Sequence, residues 1–548
     1  MADRRDSAVV AVDVGSMAAR AGVFDSRGRL LARASHPFGT GRPAPDHAEH
    51  SSEEIWRACC HAVRAATGES RVDPASVRGL AFDATCSLAL FDERGHPVSV
   101  SETGEDRWNV VMWADHRAVA EAEEISATGH RVLDFVGGAM SPEMEMPKLL
   151  WLKRREPSRW LRYRHALDLT DFLTWRATGR QAVSTCTVTC KWGYLAHETP
   201  GWQTDFLARV GLEDLPARAS LPATALPIAA DAGPLSETSA TELGLPRECR
   251  VGVGLIDAHA GGLGVLGASD PASFDRRIAM IAGTSTCHMA VSKDARHIRG
   301  VWGPYFGAMI PDCWLNEAGQ SATGSLLEHM LDWHAAAAGL GTDRHRIVTA
   351  RIVELLDRHG PGFVETLQVL PDFHGNRSPL ADAQARGVIH GLTLDASFDS
   401  LARLYYATAV GIALGTRHIL DALNDRGYAI SQLHLTGGHA GNPLLVQLYA
   451  DATRCQVVLP EEADGVLLGT ACVAATASGI HAGLREACKA MVRSGREIAP
   501  DQRVIDFFDR RYDSFLLLHR HRRAVDDVAA AVPQPGLDNP SEVVKHVA

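Results

Sequence analysis

Asp257 is the only carboxylate in the run Val-Gly-Val-Gly-Leu-Ile-Asp-Ala-His-Ala-Gly-Gly-Leu-Gly at 251–264, and it follows directly on an apolar stretch that reads as a buried strand. An ionised carboxylate in such a place must be paired, hydrogen-bonded or put to chemical use, because burying it alone is costly. As a general base it would take a proton from a hydroxyl. Three glycine-containing turns could serve that base. Asp13-Val14-Gly15-Ser16 closes the apolar run that starts at residue 8, with Arg20 beyond it and a second strand-like run at 21–25. Gly283-Thr284-Ser285 closes another apolar run, 278–282, ahead of a strand-like run at 288–292. Each would offer backbone N–H groups to an anion. Gly437-Gly438 leads through Asn442 into a helix expected at 444–453, so glycine amides and a helix N-terminus face one spot. Two such turns facing each other would clamp nucleotide phosphates, an arrangement suited to phosphoryl transfer, where positioning and electrostatics dominate. The Gly-x-x-x-x-Gly-Lys-Ser/Thr loop and the His-Arg-Asp and Asp-Phe-Gly triplets are absent from the sequence.

Other polar residues stand at strand ends where an open α/β sheet places ligand contacts. A strand expected at 77–82 ends in Asp83-Ala84-Thr85-Cys86-Ser87-Leu88. Asp115, with Arg117 beside it, could hold the hydroxyls of a polyol or cap a helix. Lys191, between Cys190 and Trp192, is a substrate contact or a snorkelling surface lysine. Glu317 ends a strand-like run, with its carboxylate directed at a partner.

The elements that position these residues come in two sets. A chain of 548 residues exceeds the size at which one core stops growing, so at least two domains are expected. The strand, glycine turn, strand unit at the start recurs at 278–292, and 432–438 stands in the second half where 80–85 stands in the first, which indicates a duplicated domain. The expected division is 8–267 and 268–523, with an alanine- and proline-rich tail at 524–548 that frays. A serine-capped helix is expected from 51 to about 67, a threonine-capped helix after the strand at 165–169, one short helix within 216–248, and a strong helix at 406–423.

Composition narrows the function classes. A formal net charge of -11 argues against nucleic acid as partner. No apolar run approaches the roughly 18 residues of a membrane span, and the first residues are too short and too acidic for a signal peptide, so a cytoplasmic protein with no membrane partner is expected. The eleven cysteines are scattered and read as reduced thiols. Only Cys186 and Cys190 have suggestive spacing. No second pair accompanies them, so the sequence alone does not call for zinc there.

Taken together, the motifs resemble those of the FGGY family of carbohydrate kinases, over nearly the whole chain from Val9 to about His519. Asp13 to Arg20 looks like that family's first phosphate motif, Gly283-Thr284-Ser285 its second, Gly437-Gly438 its adenosine motif and Gly254 to His259 its catalytic motif. The resemblance implies a duplicated actin-like (ribonuclease H-like) ATPase fold, with two domains around a nucleotide cleft. It implies ATP bound by Asp13, Gly15, Ser16, Arg20, Gly283, Thr284, Ser285, Gly437, Gly438 and Asn442, and Mg²⁺ held by Asp13, through a water, and by Asp257. Thr85-Cys86-Ser87-Leu88-Ala89 resembles the Thr-Cys-Ser-Leu-Val signature of the D-ribulokinase-like pentulose kinases, differing at Ala89. By the same resemblance Ala84, Cys86, Asp115, Lys191, Asp257 and Glu317 contact a small sugar, and a homodimer is admitted. D-ribulose is the substrate this implies, with L-ribulose, xylulose, ribitol and glycerol as competitors. Met17 and Ala18 depart from the small polar residues usual after the first phosphate turn, and Glu145 and Arg155 fit the family's helix signature poorly. Two further classes are an actin or heat-shock relative that hydrolyses ATP without a sugar, and a sugar sensor without chemistry. The chain shows no evident peptide-binding appendage, and its intact Asp257 and both turns argue against the sensor.

Overall fold

Ala8–Val14 (β1) is apolar at every position but Asp13 and is buried throughout, as a strand covered on both faces must be. Ala18–Asp25 (β2) and Leu30–Pro37 (β3) fold back on it as an antiparallel meander. The computed structural model describes residues 7–530. Val77–Ala84 (β4) then joins β1 in parallel, Asp231–Pro234 (β5) forms an edge, and Arg250–Ile256 (β6) lies parallel to β4, giving the order β3-β2-β1-β4-β6-β5.

The second half repeats this plan. Arg277–Ala282 (β7), Thr286–Ser292 (β8), Trp302–Phe306 (β9), Trp314–Gln320 (β10), Gln432–Thr436 (β11), Gln456–Pro460 (β12) and Ser494–Ile498 (β13) form a sheet of order β9-β10-β8-β7-β11-β12-β13. β10, β8 and β7 make the antiparallel meander, and β11 and β12 add in parallel. The strand sequence β10-β8-β7-β11-β12-β13 therefore matches β3-β2-β1-β4-β6-β5, with β9 as an extra edge. This is the duplicated actin-like architecture expected from the motifs.

Helices cover the sheets. Ser52–Ser70 (α1) starts where expected, Ser51 accepting a hydrogen bond from the Glu54 N–H at 3.3 Å, and buries Ile55, Trp56, Cys59 and Val63. Glu145–Arg155 (α2) and Thr185–Lys191 (α3) lie on the first half. Asp257–Leu266 (α4) runs between the halves. Phe398–Asn424 (α5) is eight residues longer at its start than its periodicity indicates, because Ser397 caps it through the Ser400 N–H. Pro443–Thr453 (α6) and Gly465–Ala477 (α7) complete the set used below.

Chain order and packing do not coincide for α7. It lies beyond residue 268, yet Leu467, Leu468, Ala471, Cys472 and Ala475 belong to the same core as β1, β4 and β6. It also packs on α4 so closely that a Cβ at Gly469 would fall 1.9 Å from the Ala260 carbonyl oxygen, and one at Gly264 1.9 Å from that of Gly465. Glycine is required at this crossing because backbone meets backbone.

Three local expectations differ from the structure. The helix Leu169–Thr178 has Asp168 at its cap position, while Thr170 turns its hydroxyl to the Phe82 carbonyl at 3.0 Å. The segment 216–248 supplies β5 and the helix Glu237–Leu243 and shares the helix Leu215–Arg218, more than the one short helix expected. Residue 524 falls inside the helix Ile505–Ala530, and the rest of the expected tail, 531–548, lies outside the described residues. Among the described residues, no helix is long and apolar enough to cross a membrane.

Candidate active site

Parallel register brings three acids to one edge of the first sheet. Asp13 pairs with Asp83 across β1 and β4, and Ala84 pairs with Ile256, the residue before Asp257. The three carboxylates thus stand at the C-terminal ends of neighbouring parallel strands. Asp13 is fully buried and ion-paired with the half-exposed Arg20; its oxygens find no other hydrogen-bond donor. Burial pushes its carboxyl up to about 6 against the pull of Arg20, with Asp257 and Asp464 adding to the rise. Asp83 is raised well above the ordinary range by burial and by Asp13, although the Thr470 hydroxyl on α7 donates to it. Asp257 opens α4, half-buried, and accepts from the Ala258 N–H at 2.7 Å. Burial raises it too, opposed by that N–H, His259 and Arg20. Asp13 and Asp257, with the Arg20 guanidinium beside Asp13, offer carboxylate oxygens that fit a hard divalent cation.

The glycine turns lie where exposed backbone can meet an anion. Gly15 donates to the Ala18 carbonyl in the β1–β2 turn, and Ser16 accepts from the Trp113 indole N–H at 2.9 Å, so this hydroxyl is tied to the first half's own sheet cover. Gly283 donates to the Ser285 carbonyl, and a Cβ at Gly283 would meet open space. The carbonyls of Gly283 and Thr284 accept from Gly324 and Ser325, which begin the helix Gly324–Trp333, so that helix N-terminus buttresses the second turn. Gly437 and Gly438 are exposed; Gly437 has φ +91°, and a Cβ there would strike the Ala282 carbonyl at 2.5 Å. Asn442 caps α6, accepting from the Leu444 N–H at 3.1 Å.

The sugar-side candidates converge partly. Lys191 is not a surface lysine: it is 2% exposed, its ammonium lies 3.8 Å from the Glu317 carboxylate and 4.3 Å from the centre of the Trp302 ring. His259 Nε2 approaches the same Glu317 oxygen at 3.5 Å. Burial alone would raise Glu317, but Lys191 and His259 override it and hold the carboxyl down to about 2. Cys86 is buried close enough to feel the Lys191 charge, and Ala84 ends β4 beside them. Asp115 stands apart. Its Oδ1 accepts from the Arg117 backbone N–H and Nε, and its Oδ2 from the Ala48 N–H and the Arg117 guanidinium at 2.7 Å, with Glu49 completing the buried set. Nor does it cap a helix, since the next one begins at Val119. Its oxygens are already engaged, which suits it to holding the 46–50 and 112–117 segments together.

Several residues at this site carry little sequence signal. Asp83, named only as one of the polar residues ending its strand, repeats the pattern of Asp257, an acid closing an apolar run. Glu145 and Lys148 form a buried pair at 3.4 Å one turn apart on α2; burial pushes Glu145 up to about 7 against the nearby ammonium. Arg377, from the turn-rich loop after β10 and before α5, reaches Glu143 of the other half at 3.1 Å and lies near Trp113 and Trp302. With the Lys191 and Glu317 pair, this contact crosses the cleft, so the two halves meet around the sugar-side residues. Nothing in the loop's composition points to that partner.

Comparison with known proteins agrees with this architecture. Residues 8–264 match the FGGY family of carbohydrate kinases, N-terminal domain, and residues 278–478 match its C-terminal domain. The chain is 44% identical over 535 residues to the human FGGY carbohydrate kinase domain-containing protein, covering 94% of this chain and 96% of that protein. It is 36% identical over 514 residues to a D-ribulokinase of Saccharomyces cerevisiae, covering 86% of this chain and 72% of the yeast protein. Among solved structures, a xylulose kinase from Brucella ovis superposes with a TM-score of 0.80 at 22% identity, covering 94% of this chain and all of that one.

Proposed function

The chain belongs to the FGGY family of carbohydrate kinases and is a sugar phosphotransferase, and on that footing we propose that it transfers the γ-phosphoryl group of ATP to the terminal hydroxyl of a ketopentose, D-ribulose, forming D-ribulose 5-phosphate. The observation that carries the reading is that Asp257 opens α4 two residues before His259, whose ring approaches Glu317 and through it the buried Lys191. The Thr85-Cys86-Ser87-Leu88 run and the similarity to a yeast D-ribulokinase support the choice of sugar.

Asp257 accepts the proton of the sugar hydroxyl as its oxygen bonds to the γ-phosphorus; the bond to the β-phosphate oxygen breaks and ADP leaves with that electron pair. Backbone N–H groups of the turns at Gly15 and Gly283 steady the phosphates, and the exposed Gly437 and Gly438 admit the adenosine end. Asp13 and Asp257 would hold Mg²⁺, which when bound neutralises phosphate charge. Lys191 and Glu317 orient the sugar's hydroxyls, and the contact of Arg377 with Glu143 keeps water from the acceptor position.

A coupled assay of ATP consumption over D-ribulose, L-ribulose, xylulose, ribitol and glycerol tests this. D-ribulose should give the highest kcat/KM. Preference for another member refutes the sugar assignment, and no stimulation by any of them refutes the kinase chemistry.

A further inference from the structure

Cys186 and Cys190 are four residues apart on α3, so both side chains lie on one face of the helix. The third partner that their sequence spacing lacked is supplied by tertiary structure. His259, on α4, places Nδ1 3.4 Å from the Cys186 sulfur and Nε2 3.9 Å from the Cys190 sulfur. One ligand atom from each of the three residues can be chosen so that all lie within 4.8 Å of one another, and none of the three side chains reaches solvent. The Ile256 N–H donates to the Cys186 sulfur at 3.4 Å, a contact that favours a thiolate.

Glu317 Oε2 lies 3.5 Å from His259 Nε2 and pairs with Lys191, so it braces the imidazole from the cleft side. Zinc bonds of about 2.0–2.1 Å to nitrogen and about 2.3 Å to sulfur place tetrahedral neighbours about 3.6 Å apart for nitrogen and sulfur and about 3.8 Å apart for two sulfurs. The distance from Nε2 to the Cys190 sulfur is within a few tenths of an ångström of the first of those edges.

We propose that Cys186, Cys190 and His259 form a buried three-residue zinc site. Zinc there joins α3 to α4. Lys191 follows Cys190 directly and Asp257 precedes His259 by two residues, so the metal fixes the spacing of two groups that face the cleft. The site is distinct from the oxygen ligands of Asp13 and Asp257, which suit a harder cation. It stands whether or not the sugar assignment holds.

The test is metal analysis of the full-length protein purified without chelator and without a metal column. About one zinc per chain is expected. Exchange into excess Co²⁺ should give the near-ultraviolet sulfur-to-cobalt charge-transfer absorption of thiolate ligation. That absorption should disappear in C186S/C190S and persist in C472S, which alters a buried thiol outside the cluster. Sub-stoichiometric zinc together with no thiolate–cobalt absorption in the wild-type protein overturns the site, even if the double variant fails to fold. So does thiol titration under denaturing, non-reducing conditions that finds Cys186 and Cys190 joined as a disulfide. Absorption that survives in a folded double variant overturns the assignment to these two cysteines.

Discussion

Asp257→Asn isolates the general base. The amide is nearly isosteric with the carboxylate, and its oxygen can still accept from the Ala258 N–H at 2.7 Å, so the first turn of α4 keeps its local bond. What is removed is the negative charge, and with it the capacity to take a proton. A positioned general base supplies about 10²- to 10⁴-fold in rate, which corresponds to about 3 to 5 kcal/mol of barrier. Removing that charge also relieves repulsion with Asp13, whose carboxyl is raised in part by Asp257. The variant should therefore melt at the same temperature as the wild type or higher. The measurements are ADP release in the coupled assay at saturating sugar, nucleotide affinity by calorimetry, and thermal unfolding. The expected result is turnover lowered by at least about 10²-fold with folding and nucleotide affinity retained. Turnover near that of the wild type refutes the role, and a loss of turnover accompanied by unfolding assigns Asp257 to structure instead.

Three further outcomes follow from the packing and charge of particular residues. Gly469→Ala inserts a methyl against the Ala260 carbonyl where α7 crosses α4 and should destabilise the protein by about 1–3 kcal/mol or more; an unchanged urea midpoint would show that the helices separate freely. Asp115→Asn leaves the buried Arg117 guanidinium short of one charge and should cost about 3–5 kcal/mol in stability. A folded variant of unchanged stability with a raised KM for sugar would instead make Asp115 a substrate contact. Asp372, on the loop that carries Arg377, is pushed up to about 6 by burial, against the pull of Asn376 and Arg522. A carboxyl raised in the folded state gives stability that is fully present below its ordinary pKa near 3.8 and is lost as pH rises to about 6, here at most about 3 kcal/mol. Asp372→Asn should therefore gain in melting temperature relative to the wild type between pH 4 and pH 6.5, and a difference that does not change with pH refutes the shift.

The contrast between local and distant determinants runs through the site. Asp13, the Gly15 turn and β2 are contiguous, and their strand, turn, strand pattern depends on side-chain alternation and turn residues a few positions apart. The same holds for 278–292 and for Gly437 ahead of α6. Such units, their repetition and the acid at 257 were legible in the sequence because each is stabilised by neighbours along the chain.

Lys191 was ambiguous for the opposite reason. Its burial depends on Trp302 and Glu317, more than a hundred residues away, and composition around a lysine does not report which distant ring covers it. Asp115 was open between a polyol contact and a helix cap because its partners Ala48 and Arg117, with Glu49 behind the guanidinium, are brought to it by tertiary packing.

The sequence by itself determined the two repeated units, the glycine turns that end them and the carboxylate that opens α4, since these are properties of short range. Only the tertiary structure decided that α7 crosses the linear domain boundary to cover the first sheet, that Asp83 stands in register with Asp13, and that His259 closes on the Cys186 and Cys190 pair. Those outcomes are set by which apolar faces bury one another across the chain, and a buried polar group takes its partner from wherever that packing brings one within hydrogen-bonding reach.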